Sequence, residues 1–142
     1  MSEASKLGFS GFTAPGKGVL VVFCDDKLAL GRASRRVLGQ AADLVKRASA
    51  ADQFTGKAGG ALDIVAPAGL QLSRLVVLGI GKAKNLKPMD IVKLGGKAVG
   101  KVPQASSEVT ILADLPTGAM KSDQAADLAL GAQLRAYAFE RY

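Results

Sequence analysis

The stretch Leu75-Val76-Val77-Leu78-Gly79-Ile80-Gly81-Lys82 decides the fold that we predict for this chain of 142 residues. A continuous apolar run is typical of a strand that is buried on both faces, whereas a strand with one wet face alternates apolar and polar residues. We therefore expect the run from Leu75 to Leu78 to form a central strand of a sheet that helices cover on both sides.

The end of this stretch, Gly79-Ile80-Gly81-Lys82, raises the question of a phosphate-binding loop, because glycines after a strand let backbone amides approach an anion. A P-loop needs a glycine where Val76 stands and a hydroxyl residue where Ala83 stands. Lys84 occupies the third glycine position of the dinucleotide fingerprint. The pattern favours a simpler interpretation, in which the strand ends and turns before the next helix.

The composition indicates one ordinary domain. Apolar residues make up 49% of the chain and charged residues 22%, which argues against both disorder and a membrane class. No apolar run approaches the roughly eighteen residues of a membrane-spanning helix, and the N-terminus lacks the apolar core of a secretory signal. We therefore expect a single domain over residues 1–142, located in the cytoplasm, with no membrane as a partner.

The sequence contains one cysteine, Cys24, and no histidine. A single thiol cannot form an intrachain disulfide, and no histidine is present to activate it as a nucleophile. The missing histidine also excludes Ser-His-Asp catalysis and histidine-ligated zinc sites. Because Cys24 follows the apolar run from Val19 to Phe23, we expect a buried thiol at the end of a strand.

The predicted elements alternate strands with helices. Besides the opening run, strands are predicted over residues 6–12, 19–24, 62–66 and 108–113. Apolar residues at helical spacing predict helices over residues 27–50, from Pro88, and after an N-cap at Ser122. This order predicts an α/β three-layer domain with a mostly parallel or mixed central sheet flanked by helices.

Two adjacent glycines, Gly95 and Gly96, lie inside the helix that begins at Pro88. Each costs about 1 kcal/mol of helix propensity relative to alanine, so a close contact should offset that cost. We expect this helix to approach the sheet closely at the two glycines.

The chain has a net charge of +7, and residues 104–142 carry three basic and five acidic residues, so the positive excess lies in the first 103 residues. Two sets of basic residues are predicted on the outer faces of helices: Arg32, Arg36 and Arg47, and Lys93, Lys97 and Lys101. Such faces are the footprint of contacts to a nucleic-acid backbone, but they also commonly serve solubility. The glycine-rich loop over residues 54–60 is a further candidate, since glycines around Lys57 can form an anion nest.

Four segments of the chain carry a resemblance to a known family, and they are, in order, Phe54–Gly59, Leu75–Lys82, Leu94–Gly96 and Ala125–Tyr142. Together they resemble the N-terminal domain of the leucyl (cytosol) aminopeptidase family over most of the chain. The resemblance implies a non-catalytic, macro-domain-like fold, joined by its last helix to a C-terminal peptidase domain whose motifs this sequence lacks. That absent domain is the one in which the family holds two divalent metal ions, Zn or Mn, so no residue here inherits a catalytic or metal-binding role.

Three functions of the domain stay open. The resemblance implies oligomer assembly and substrate access in a homohexamer, with the peptidase domain and neighbouring subunits as partners. The basic helix faces favour nucleic acid as an alternative partner, which the resemblance also implies for some members. A nucleotide or ADP-ribose pocket rests on analogy with macro domains alone.

The last helix carries more apolar residues than one buried stripe needs. Leu130, Leu134 and Tyr137 lie off the stripe that begins at Ala125. We expect them to be partly exposed in this chain and covered by the peptidase domain or a neighbouring subunit in a longer protein.

Overall fold

The computed structural model describes residues 17–102 and 108–141, with side chains of the last helix described as far as Ala136. The main sheet has four strands: β1 (Val19–Cys24), β2 (Ala61–Val65), β3 (Arg74–Gly79) and β4 (Val109–Ile111). Their order across the sheet is β2-β3-β1-β4. β1 is parallel to β3 and β4, whereas β2 is antiparallel to β3, so the sheet is mixed.

Helices cover both faces of this sheet. The helices are α1 (Arg32–Leu38), α2 (Ala42–Asp52), α3 (Pro88–Gly100) and α4 (Ser122–Arg141). In β1, Leu20 and Val22 pack in the core with α1 and α2, whereas Val21 and Phe23 pack in the core with α3 and α4. The predicted three-layer α/β fold is therefore confirmed.

The apolar run from Leu75 to Leu78 forms the centre of β3. Leu75 and Val77 pack on the side of α1 and α2, and Val76 and Leu78 on the side of α3. All four side chains have 0% exposure. After β3, Gly81 adopts a φ of 70° and the chain turns into a short 3-10 helix before α3, as the simpler interpretation predicted.

The single helix predicted over residues 27–50 is wrong. The helical segment begins at Arg32, and α1 ends at Leu38, because the following Gly39 has a φ of 56°, a value that residues with side chains rarely adopt. A 3-10 helix at Gly39–Ala41 then leads into α2. The pattern concealed this break because Val37, Ala41 and Val45 all pack against the same core.

α1 is capped by a side chain that is distant in sequence. Its own N-cap is Gly31, which has no side chain to offer. Asp114 Oδ2 accepts hydrogen bonds from the amide of Ser34 at 2.9 Å and from its hydroxyl at 2.8 Å. A Cβ on Gly31 would lie 2.6 Å from Asp114 Cγ, so the close approach requires glycine.

Asp114 belongs to a small hairpin of β5 (Asp114–Leu115) and β6 (Gly118–Ala119), which follows β4. The strand predicted over residues 108–113 is thus shorter than expected, because the residues after Ile111 leave the sheet to build this hairpin. The buried carboxylate links the hairpin to the start of α1.

α3 and α4 cross at glycines. A Cβ on Gly95 would overlap the carbonyl oxygen of Leu128, and a Cβ on Gly131 would overlap that of Val92. A Cβ on Gly96 would make only ordinary contacts, 3.5 Å from the carbonyl oxygen of Gly131. The expectation that Gly95 and Gly96 approach the sheet is therefore wrong, because their close neighbour is another helix.

The first residues of α3 and α4 lie close to the predicted ones. Pro88 is the first residue of α3, as predicted. Ser122 is the first residue of α4 rather than its N-cap, and Gln124 Oε1 instead accepts the amide of Lys121 at 2.9 Å. The strand predicted over residues 6–12 lies outside the described residues.

Candidate interaction surfaces

A depression of about 360 Å³ lies where the two central parallel strands end. Its lining residues follow β1 or β3 directly: Asp25, Asp26, Lys27, Lys82, Ala83 and Lys84. β1 leads into the helices on one face of the sheet, and β3 leads into α3 on the other. This is the topological switch point, where open α/β sheets bind ligands, so a nucleotide would be expected to bind here.

The glycine-rich loop over residues 54–60 packs across this point. The amide of Gly81 donates to the carbonyl of Gly56 at 2.9 Å, and the amide of Gly79 donates to the carbonyl of Gly60 at 2.9 Å. A Cβ on Gly79 would lie 2.5 Å from the carbonyl carbon of Gly56, which explains the glycine there. The amides of Gly79 and Gly81 therefore already donate within the chain.

The same loop was a candidate anion nest. Its Gly60 amide donates to the carbonyl of Lys57 at 2.9 Å, and its Gly59 carbonyl accepts a hydrogen bond from Lys97 Nζ. Gly56 has a φ of 85°, and a Cβ there would lie 2.9 Å from the carbonyl carbon of Asp25. Close contacts at Gly56 and Gly60, together with the φ of 88° at Gly59, therefore account for the glycines without an anion.

The single thiol is buried, as predicted. Cys24 is the last residue of β1 and has 0% exposure. Burial, with a smaller effect from the charge of Asp25, raises the pKa of this thiol to about 12. Because the thiolate is the reactive form, Cys24 is a core residue and not a nucleophile at neutral pH.

The first set of basic residues does not share one helix face. Arg32, Arg36 and Arg47 are all exposed, as the pattern predicted. Arg32 and Arg36 lie one turn apart on α1, whereas Arg47 lies on α2, beyond the break at Gly39. The single basic face predicted over residues 27–50 is wrong for this reason.

The second set lies on and just after α3. Lys93 and Lys101 are exposed, but Lys97 is partly buried. The Lys97 ammonium donates to the carbonyl of Gly59, which ties α3 to the glycine-rich loop. Lys97 is thus engaged within the chain, and Lys93 and Lys101 are the exposed members of this set.

The structure does not bring the six basic residues together. α1 and α2 pack on one face of the sheet, and α3 packs on the opposite face. Each set therefore offers at most three cations to a partner. Since every phosphate contact adds roughly one unit to the salt dependence of binding, either set alone would support only weak, salt-sensitive binding.

α4 exposes apolar side chains on its outer side. Leu128 and Ala132 are buried, at 5% and 4% exposure, whereas Leu130 is 47% exposed and Leu134 57% exposed. The predicted exposure of these two leucines is confirmed, and the side chain of Tyr137 lies outside the described residues. Leu130 and Leu134 are four residues apart, so they form one apolar surface on the helix, which we call the α4 outer face.

The described acidic residues are dispersed. Asp63 pairs with Arg74 at 2.7 Å, and Glu108 pairs with Lys17 at 3.1 Å. Within residues 17–102 and 108–141, no three His, Cys, Asp or Glu side chains are grouped so that they could hold a metal ion. None of the helices in that same part of the chain is long and apolar enough to cross a membrane.

Comparisons of sequence agree with one another. The family model described as "Cytosol aminopeptidase family, N-terminal domain" matches residues 21–142. A probable cytosol aminopeptidase of Rhodopseudomonas palustris (strain BisB5) is 55% identical over all 142 residues, which are 28% of its own length. Probable cytosol aminopeptidases of Afipia carboxidovorans and Nitrobacter winogradskyi are 54% and 51% identical over the same 142 residues, again 28% of each.

Among solved structures, a mutant of tomato leucine aminopeptidase is similar in fold, with a TM-score of 0.64 at 17% identity. The similarity covers 89% of this chain and 26% of that chain. The chain thus spans a little over a quarter of the length of the proteins that it matches.

Proposed function

The chain belongs to the cytosol aminopeptidase family through its N-terminal domain, and from this membership we propose that it is the non-catalytic N-terminal domain of a leucyl-type metallo-aminopeptidase. The observation that carries the proposal is the 55% identity over the whole chain with a relative of which it covers only 28%. In the proposed parent protein, a C-terminal peptidase domain beyond residue 142 removes N-terminal amino acids from peptides in the cytoplasm.

Two divalent metal ions, Zn or Mn, belong to that peptidase domain in our proposal. The described residues of this chain do not fit such a site, because they contain no cluster of three suitable ligands. No catalytic step is therefore assigned to any residue of this chain.

The role that we propose for this domain is oligomer assembly and control of substrate access in a homohexamer. The α4 outer face supports it, because Leu130 and Leu134 leave 47% and 57% of their surface in water. These two leucines give α4 an apolar surface that a partner can cover. The proposed partners are the chain's own peptidase domain and neighbouring subunits.

A comparison of two proteins tests the proposal. One is this chain alone, and the other is the complete product of the reading frame that contains it; both receive a leucyl chromogenic substrate with Mn²⁺ or Zn²⁺. We expect turnover by the complete product and none above a buffer blank by the chain alone. Turnover by the chain alone would refute the non-catalytic role, and a stop codon directly after Tyr142 would refute the two-domain parent.

Nucleic-acid binding by the basic helix faces is the second function that we propose. It is favoured by the net charge of +7 and by the exposure of Arg32, Arg36 and Lys93. A gel-shift titration against duplex DNA at about 50 mM salt, where electrostatic binding is favoured, provides the test. No shift at tens of micromolar protein, a range typical of non-specific binding, would leave both faces as solvated surface.

Charge reversal identifies the face that binds. If α1 carries the binding, Arg32→Glu with Arg36→Glu should weaken it and flatten its salt dependence, while Lys93→Glu with Lys101→Glu should do so if α3 carries it. The nucleotide or ADP-ribose alternative has no comparable support, because the amides of Gly79 and Gly81 at the switch point already donate to the loop over residues 54–60.

A further inference from the structure

The depression at the switch point is not used by the proposed function. It lies where β1 and β3 end, and its volume of about 360 Å³ is within the range of sites for small molecules. Its lining comes from two segments that are far apart in sequence, residues 25–27 after β1 and residues 82–84 after β3. Charged side chains from the ends of two strands therefore line one concave surface.

Hydrogen bonds fix the shape of this depression. The amide of Asp26 donates to the carbonyl of Gly81 at 3.1 Å, which joins the segment after β1 to the turn after β3. Within the first segment, Asp25 Oδ1 accepts the amides of Lys27 and Ala29, each at 2.9 Å. Because the backbone on both sides is held in place, a ligand would not have to order these segments on binding.

The depression offers charges of both signs. Three of its side chains are cationic and two are acidic: Lys27, Lys82, Lys84, Asp25 and Asp26. The ion pairs in the described part of the chain lie elsewhere, at Glu108 and at Asp63. Asp25 already accepts two amides, whereas Asp26 and the three lysines are exposed. One carboxylate and three ammonium groups are therefore available to a ligand.

A phosphate ligand fits this lining poorly. Phosphate sites in α/β folds commonly use free backbone amides, but the amides of Gly79 and Gly81 already donate within the chain. The two aspartates would also repel a multiply charged anion. A molecule that carries one carboxylate and one ammonium group avoids both difficulties, because each of its charges meets an opposite charge in the depression.

We propose that this depression binds a small zwitterion, namely a free amino acid or a short peptide. The carboxylate of the ligand pairs with Lys27, Lys82 and Lys84, and its ammonium group pairs with Asp26. Exposed ion pairs are individually weak, so the dissociation constant should be about 1–10 mM. Binding is independent of the proposed function, and only its use rests on that function, in which peptides are consumed and amino acids are released.

Nuclear magnetic resonance of the Ala83 methyl group measures this binding, because Ala83 lines the depression. The chain with isotope-labelled alanine is titrated at neutral pH with L-leucine and with leucyl-glycine, which carry the same two charges. N-acetyl-leucine lacks the ammonium group, and leucinamide lacks the carboxylate. We expect a saturable shift with at least one of the two zwitterions, and binding of both analogues that is weaker by about threefold or more. The zwitterion that binds more tightly identifies the ligand as a peptide or an amino acid.

Two double variants show whether the shift arises at the depression. Lys82→Gln with Lys84→Gln should weaken the binding of L-leucine by about threefold or more. Lys93→Gln with Lys101→Gln removes the same charge from exposed positions on and just after α3, and it should leave binding unchanged. If the chain of 142 residues does not hold its fold alone, L-leucine and the same variants are compared by the Ala83 methyl shift in the complete product of the reading frame.

The remaining outcomes are equally decisive. Absence of a saturable shift at about 50 mM of either zwitterion, well above the expected dissociation constant, would overturn the inference. Inorganic phosphate or N-acetyl-leucine that binds as tightly as L-leucine would also overturn it, because the site would then select anions only. Equal weakening by the two double variants would reduce the effect to net charge and overturn it too. Peptidase activity of the complete product without an Ala83 shift would refute this inference alone, whereas a shift without activity would support it and refute the proposed function.

Discussion

Replacing Gly131 with alanine should destabilise this domain by forcing α3 and α4 apart. A Cβ at this position would overlap the carbonyl oxygen of Val92 and lie 2.7 Å from its carbon, whereas ordinary contact begins at 3.4 Å. Both obstructing atoms belong to the backbone of α3, so no side-chain rotation can relieve the clash. The helices must separate locally by more than roughly 0.7 Å, which is the shortfall at the carbonyl carbon, because the carbonyl oxygen lies closer still and the interior is close-packed.

Two opposing effects set the magnitude. Overpacking typically costs about 1–3 kcal/mol, and a backbone obstruction places Gly131→Ala near the upper end of that range. Alanine returns about 1 kcal/mol through its better helix propensity. Separation also loosens the contacts of Leu94 and Leu128, which are buried between the helices. We therefore expect the free energy of unfolding to fall by about 2 kcal/mol.

Urea denaturation followed by circular dichroism measures this change, and Gly96→Ala is the matched control. Gly96 lies in the same crossing, but a Cβ there would sit 3.5 Å from its nearest neighbour, which is an ordinary contact. The control should thus be neutral or stabilised by up to about 1 kcal/mol. Equal stability of Gly131→Ala and Gly96→Ala would refute the argument that the close crossing requires Gly131.

Three other changes should give distinct results. Asp114→Ala removes the cap of α1 and leaves the Ser34 hydroxyl unpaired, so thermal unfolding should show that the free energy of unfolding falls by about 1–3 kcal/mol. Ser34→Ala should cost less. Additive effects of the two substitutions in the double variant would contradict a direct interaction between the side chains. The pKa of the Cys24 thiol is raised from 9.0 to about 12 in the folded chain. Between these two pH values the folded chain keeps a proton on Cys24 that the unfolded chain loses. Stability should therefore fall as pH rises from 9 towards 12, and a decline of equal size in Cys24→Ala would contradict this assignment. In the full-length protein, Leu130→Ser with Leu134→Ser should weaken the proposed oligomer as measured by light scattering. Val65→Ser, at a side chain 64% exposed on β2, should not weaken it, and an unchanged oligomer in the double leucine variant would show that the α4 outer face is not an interface.

The layered fold could be predicted because the pattern that indicates it lies within one short stretch of sequence. The run from Leu75 to Leu78 is apolar without interruption, and a strand between two helix layers buries every side chain of such a run. The break at Gly39 could not be predicted from apolar spacing, since Val37 and Val45 reach the same core on either side of it. A glycine inside a helical pattern signals such a break only weakly, because isolated glycines are also tolerated within helices.

Contacts between distant segments limited the rest of the prediction. The cost of Gly95 in a helix implied a close neighbour, but nothing near it in sequence indicated that the neighbour is Leu128 of α4. The cap that Asp114 provides for α1 spans 80 residues and leaves no periodic signal. Both features depend on which elements pack together, and a local pattern does not contain that information.

The spacing of the basic residues predicts their exposure but not their arrangement in the fold. Spacing correctly predicted that Arg32, Arg36 and Lys93 face water. It could not show that Lys97 is engaged by the carbonyl of Gly59, nor that α1 and α3 lie on opposite faces of the sheet. Because one duplex cannot lie flat against both faces, the two sets would act as independent sites. Charge reversal on α1 should then leave the salt dependence of any binding by α3 unchanged, and a single linked response to both reversals would contradict this geometry.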